Sequence, residues 1–389
     1  MPLPVPPALP PPSAEAAAHS RRVANHIAAQ VAAAGGWIPF SRYMELALYA
    51  PGLGYYAAGA RKFGAGGDFV TAPEISHVFG QCLARQAAEV LDATGGDILE
   101  LGPGSGALAA SMYRELRAME RAPQRYRLLE VSPDLQERQR THLAQEFPGD
   151  ADRFEWADTL PADFRGLVIA NEVLDVVPFS IVRRSDDRYF ERGVVAEGDG
   201  FAWQDRELGD GDLLRRARAV FPPGGYEYES EISLPAEALV RTVAQSLRAG
   251  IALLIDYGFA QPELYHPQRS MGTLRCHYRH HFHGDPFFLP GLQDITAHVD
   301  FTAMAQAAES AGADVYGYAT QASFLIAAGL TDFLSRIEPE LTVERMKATS
   351  AAHRLVSPAE MGELFKVLAI GRGIEAPLVG FESARPLAL

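Results

Sequence analysis

Apolar and polar positions follow helical spacing from Ala14 to Ala34, which predicts a first helix. The next stretch, "GGWIPFSRYMELALYAPGLGYYAAGARKFGAGGDFVTAPEIS", is so rich in Gly, Pro and Tyr that it predicts an irregular lobe rather than regular elements. A helix follows over His77 to Ala93, and then short apolar runs alternate with amphipathic ones. Strands are predicted at Asp97–Leu101, Tyr126–Val131, Arg153–Trp156 and Leu167–Leu174, separated by helices at Ala107–Met119 and Pro133–Phe147. That alternation is the mark of a doubly wound parallel sheet in an α/β fold. The order is interrupted by antiparallel strands at Phe179–Val195, turning at Asp186 and Asp187, and at "GFAWQD". It resumes with a helix at Pro235–Arg248 and the strand Ile251–Phe259, then breaks again for a polar, His-rich segment from about Gln261 to Thr296. A helix at Phe301–Gly312, a strand in "ADVYGYA" and helices near Gln321–Ile337 and Val343–Ala352 complete the reading, with no internal repeat.

Charge and cysteine usage narrow the classes. With a net charge of −14 the summed field repels phosphate backbones and anionic lipid surfaces, so neither nucleic acid nor a membrane is expected as a partner. No uninterrupted apolar run is long enough to span a bilayer. Cys82 and Cys276, the only two cysteines, are too few for a disulfide framework and imply a reducing compartment. The start, "MPLPVPPALPPPSAEAAAHSRR", has no basic segment before an apolar core, and its prolines forbid a targeting helix. A disordered Pro-rich tail and a cytoplasmic protein are expected.

The chemistry begins at "LELGPGSGAL" (Leu99 to Leu108). Gly104, Gly106 and Ala109 fit a dinucleotide fingerprint, while Glu100, Gly102, Gly104 and Gly106 fit the E-x-G-x-G-x-G turn of enzymes that bind S-adenosylmethionine. Glu100 favours the second. A pyrophosphate at the following helix would be repelled by that carboxylate, whereas the methyl donor carries an ammonium and a sulfonium. Glu130, at the end of the next strand, stands where ribose hydroxyls of either cofactor would be held. Asp158 is a candidate for the adenine amino group. Trp156 fits base stacking or simple core packing equally well. Thr71 and Glu74 have capping-box spacing, and a helix starting there would offer backbone N–H groups to a carboxylate or would merely be capped.

Six stretches in order, "GDFVTAPEIS", "LELGPGSGAL", "LLEVSPDLQERQ", "NEVLDVVPF", "IDYGF" and "PGLQDITAHVDF", resemble the MidA-like family of S-adenosylmethionine-dependent methyltransferases over about Trp37 to Arg372. The resemblance implies a class I methyltransferase (Rossmann-like) sheet: a tail at 1–13, an N-terminal lobe at 14–93, and a methyltransferase domain at 94–389 with insertions at about 179–234 and 261–296. It implies cofactor contacts in "TAPEIS" (Thr71, Pro73, Glu74), in the glycine turn with Pro103, and at Asn171. Family members in mitochondria are linked to assembly of respiratory complex I and to symmetric dimethylation of an arginine in one of its subunits. Ser111 departs from the family, where an acidic residue is expected.

Ligands of open parallel sheets bind beyond the carboxyl ends of the strands, which points to Asn171, Glu172, Asp175, Asp256 and Tyr257. An arginine guanidinium is always charged and a poor nucleophile, and a carboxylate can fix its plane and draw charge from the attacking nitrogen. Glu172 is the first choice for that clamp, with Asp175 or Asp256 second. The released proton could go to Asp256 or His298, although a structural, hydrogen-bonded histidine is the more natural role for His298. Cys276, His277, His280, His281 and His283 form a dense cluster, but their spacing matches no standard finger and no metal is expected. The reading is thus a protein arginine methyltransferase acting on a protein partner, with an uncertain oligomeric state that includes a homodimer. Its rivals are an assembly chaperone with the same fold and a small-molecule methyltransferase.

Overall fold

The computed structural model describes residues 9–58, 71–336, 343–375 and 378–382. Its contacts divide the chain into two units, one of residues 70–175, 237–260 and 299–389, the other of residues 1–69, 176–236 and 261–298. The expected segment "GDFV" of "GDFVTAPEIS", and the start of the Pro-rich tail, lie outside the described residues.

The first of these units is built on seven main strands: β1 (Asp97–Leu101), β2 (Tyr126–Leu129), β3 (Phe154–Ala157), β4 (Phe164–Asn171), β5 (Leu247–Phe259), β6 (Asp314–Thr320) and β7 (Phe365–Arg372). Their order across the sheet is β6-β7-β5-β4-β1-β2-β3. Strands β1 to β5 pair in parallel, whereas β7 runs antiparallel to both of its neighbours, β5 and β6. The central strands read as unbroken apolar runs because helices cover both faces, and the inner positions Leu167, Ile169, Ile251, Leu253, Val367 and Ala369 are buried. The short strand Val299–Asp300 pairs in parallel beside the carboxyl end of β5.

Strand β7 was not expected from the sequence. The helix read over Gln321–Ile337 is also two helices, Gln321–Ala327 and Leu330–Ser335, separated at Gly329, and Ile337 lies outside the described residues. The helix expected to reach Arg248 ends at Ser246 and hands directly into β5.

The other unit holds a sheet in the order Ile38–Pro39, Arg188–Glu197, Ser180–Ser185, Tyr228–Ile232, with Gly200–Glu207 also paired to Arg188–Glu197. Asp186 and Asp187 form the expected turn with left-handed φ values of +48° and +64°. Where an irregular lobe was anticipated, Phe40–Tyr49 is helical: it follows Pro39 and buries Phe40, Tyr43, Met44, Leu46 and Leu48, a helical stripe that the surrounding Gly and Pro obscured. The His-rich segment folds as a three-stranded sheet, with Arg275–Tyr278 between His281–His283 and Asp294–Thr296. Cys276 is buried there as a free thiol, opposite His283. Among the described residues no helix is long and apolar enough to cross a membrane.

Candidate active site

The glycine turn leaves β1 with Gly102, Gly104 and Gly106 all at left-handed φ, +61°, +55° and +80°. Gly106 caps the helix Ala107–Ala118 without any side chain, and a left-handed residue is needed there, so an L side chain would be strained. Glu100, just before the turn, is buried and accepts a 2.7 Å hydrogen bond from the Tyr126 hydroxyl. Desolvation, only partly offset by that bond and reinforced by Glu130, pushes its pKa to about 7.

Glu130 follows β2 and is also buried, with desolvation raising its pKa against several opposing hydrogen bonds. One carboxylate oxygen accepts the Ser132 N–H at 2.8 Å, and the other accepts the Gln139 amide at 3.3 Å. Beside it Val131 is 68% exposed. The pair offers an acceptor for hydroxyls and an apolar surface for a flat ring, which are the needs of a nucleoside. Trp156, at the end of β3, donates its indole N–H to Gln139 at 2.8 Å and lies under the Arg140 guanidinium, 4.5 Å from the ring centroid. Asp158 is exposed. Neither Val131 nor Gln139 was singled out by sequence reasoning, although both stand in the stretch "LLEVSPDLQERQ"; their roles depend on a strand end and a helix face that spacing alone does not fix.

At the ends of β4 and β5 the acids gather. Glu172 is partly exposed, holds a left-handed φ of +54°, and its N–H donates to the Ile255 carbonyl at 2.9 Å. Its carboxylate receives the Ala72 N–H and, at 3.3 Å, the Asn171 amide, yet desolvation and then Asp175 push its pKa to about 8. Asn171 Oδ1 is buried and has no hydrogen-bond partner among the described residues. Asp175 is buried and accepts a 2.5 Å bond from the Tyr257 hydroxyl. Asp256 is fully buried and accepts three backbone N–H groups, from Leu174 at 2.9 Å, Asp175 at 3.2 Å and Tyr257 at 2.9 Å. Even so, desolvation followed by Asp175 and Glu172 raises its pKa well above the carboxylate range. Three acids crowded in this way create a site where a cation is electrostatically welcome.

"TAPEIS" forms the four-residue helix Ala72–Ile75 with Pro73 buried. Thr71 does not cap it with its side chain; the Thr71 carbonyl accepts from Glu74 and Ile75 instead. The first free N–H of the turn, that of Ala72, is taken by Glu172. Ser111 is buried where Gly80 passes, and a Cβ added at Gly80 would come within 1.8 Å of its hydroxyl, so the two helices touch closely here. His298 belongs to the other unit, and its backbone N–H donates to Thr273 Oγ1 at 3.0 Å.

Comparison with known proteins bears on this site. Residues 82–319 match the family described as S-adenosyl-L-methionine-dependent methyltransferase. A Burkholderia thailandensis protein crystallised with S-adenosyl-homocysteine is 46% identical, with 97% of this chain and 98% of that one aligned and a TM-score of 0.93. The Drosophila melanogaster protein arginine methyltransferase NDUFAF7 homolog, mitochondrial, is 30% identical over 96% of this chain and 93% of its own. The Danio rerio counterpart is 27% identical over 90% and 87%. The orphan Asn171 oxygen, the exposed Val131 and the glycine turn fit such a cofactor, since each leaves a polar or apolar surface that the described residues do not cover.

Proposed function

Because the chain belongs to the MidA-like family of S-adenosylmethionine-dependent methyltransferases, with that cofactor and the class I fold, we propose that it methylates an ω-nitrogen of arginine in a protein. The observation that carries the proposal is the gathering of Glu172, Asp175 and Asp256 at the ends of β4 and β5, where Glu172 and Asp256 are held above the usual carboxylate range and Asp175 is bonded by Tyr257. Bound S-adenosylmethionine supplies a methyl group on a positively charged sulfur. Glu130 and Val131 would hold its nucleoside, the turn with Gly102, Pro103, Gly104 and Gly106 its middle, and Asn171 with the Thr71, Pro73 and Glu74 turn its amino-acid end. Glu100 backs the glycine turn, and Asp158 would meet the adenine amino group.

Glu172 would orient the acceptor. Held by the Ala72 and Asn171 donors, its carboxylate presents a fixed plane to a guanidinium, and a bidentate pair aligns one nitrogen for attack. A guanidinium arriving here displaces the proton that desolvation keeps on Glu172, and the ionised carboxylate then takes the proton that the newly methylated nitrogen must lose. Asp175, fixed by Tyr257, adds negative potential, while Asp256 holds the loop 174–175 by its backbone. A respiratory complex I subunit, which the resemblance implies, is the first acceptor to try.

The test is radiolabelled S-adenosylmethionine with a respiratory complex I preparation, followed by amino-acid analysis. Labelled methylarginine made by wild type and absent with Glu172→Gln, which should still bind S-adenosyl-homocysteine, supports the reading. Label on lysine, on carboxyl groups or only on small molecules overturns it, and unchanged complementation by Glu172→Gln in cells would point to a chaperone.

A further inference from the structure

Gln139 has no part in the function derived so far, yet it is completely buried on the helix Pro133–Glu146 and touches three elements around the glycine turn. Its amide nitrogen donates to the Gly104 carbonyl at 2.8 Å and to the Glu130 carboxylate at 3.3 Å, and its oxygen accepts the Trp156 indole N–H at 2.8 Å. Each partner admits only one orientation. An indole N–H is purely a donor, a carbonyl and a carboxylate are acceptors, so a flipped amide would oppose all three. The amide is therefore a fixed three-way joint between the turn after β1, the acid after β2 and the tryptophan within β3.

We infer that Gln139 is a positioning residue that sets the nucleoside end of the cofactor site before the cofactor arrives. It rests on the placement of the nucleoside at Glu130 given above. By binding one Glu130 oxygen while the Ser132 N–H binds the other, it fixes the plane of the carboxylate. By bonding Gly104 it fixes one peptide of a turn whose glycines have no side chains to anchor them. By holding the indole N–H it fixes the ring of Trp156 against rotation. A ligand entering a site arranged in this way loses less affinity to ordering the protein.

The test measures S-adenosyl-homocysteine binding by calorimetry for wild type, Gln139→Leu, Gln139→Glu and Glu130→Gln, with the Trp156 indole N–H followed by NMR. Gln139→Leu should bind at least tenfold more weakly and shift the indole resonance. Gln139→Glu supplies a signature that a merely structural role would not produce. Its carboxylate would repel Glu130 and the Gly104 carbonyl at pH 8, but once protonated it regains one donor, so its affinity should recover as pH falls. Wild type should move the opposite way, because acid neutralises Glu130. Wild-type affinity in Gln139→Leu, or parallel pH profiles for Gln139→Glu and wild type, overturns the inference. If Glu130→Gln also binds like wild type, the placement of the nucleoside falls as well; if it alone binds weakly, only the role of Gln139 falls.

Discussion

Glu172 combines a left-handed backbone with a carboxyl whose pKa sits near 8, and both have measurable consequences. The folded state holds this proton more tightly than an unfolded chain does, so its contribution to stability is present below the ordinary carboxylate range and is lost as pH rises towards about 8. Glu172→Gln keeps the shape without the charge. It should flatten the fall in Tm between pH 5 and pH 9, seen by calorimetry, while lowering turnover by roughly 100-fold, a typical loss for a group that stabilises charge in a transition state. The same titration predicts that arginine-peptide affinity rises with pH up to about 8. Binding near neutral pH should release a proton, detectable by calorimetry in buffers of different ionisation enthalpy. These acids were legible in "NEVLD" and "IDYGF" because a parallel sheet presents residues after its strand ends. Gln139 was not, since a glutamine inside an amphipathic helix looks like any surface polar residue until the packing places it against Gly104 and Trp156.

The strand and helix alternation from Asp97 to Asn171 was readable because each strand is short, apolar and bounded by a turn, and each helix keeps a polar face. Strand β7 escaped because a segment buried on both faces loses the two-residue alternation by which strands are recognised. Helix Phe40–Tyr49 escaped for the opposite reason: its stripe is clear, but proline and glycine on both sides suggested a loop. Neighbouring strands also approach closely in a way that no periodicity reveals. At Gly166 in β4, with φ +126°, an added Cβ would lie 2.0 Å from the Asp97 carbonyl oxygen of β1. At Gly250 in β5 it would lie 1.9 Å from the Gly166 carbonyl oxygen. Backbone on neither side has room to retreat without breaking the parallel pairing. Gly166→Ala should therefore cost roughly 3 kcal/mol or more, read as a large drop in the denaturation midpoint, despite adding a single methyl group.

Over the whole molecule, a net charge of −14 should draw a basic acceptor segment and weaken that attraction in salt. Raising ionic strength from about 50 to 500 mM, which shortens the screening length several-fold, should slow association with an arginine-rich peptide in stopped flow. It should leave S-adenosyl-homocysteine affinity nearly unchanged. The acidity was visible in the composition; the way the second unit is assembled was not. That unit takes its residues from three separate stretches of chain, and its contacts span long intervals. Ile38 pairs with Val194, and the Tyr43 hydroxyl donates to the Pro286 carbonyl, 243 residues later. At ordinary elongation rates a ribosome needs about 12–50 s to cover that interval. Phe179, Phe201 and Trp203, which also pack on Phe40 and Tyr43, are made before then, so this apolar face is covered in two steps, and the last, by Pro286 and Phe287, waits until the whole interval has been synthesised.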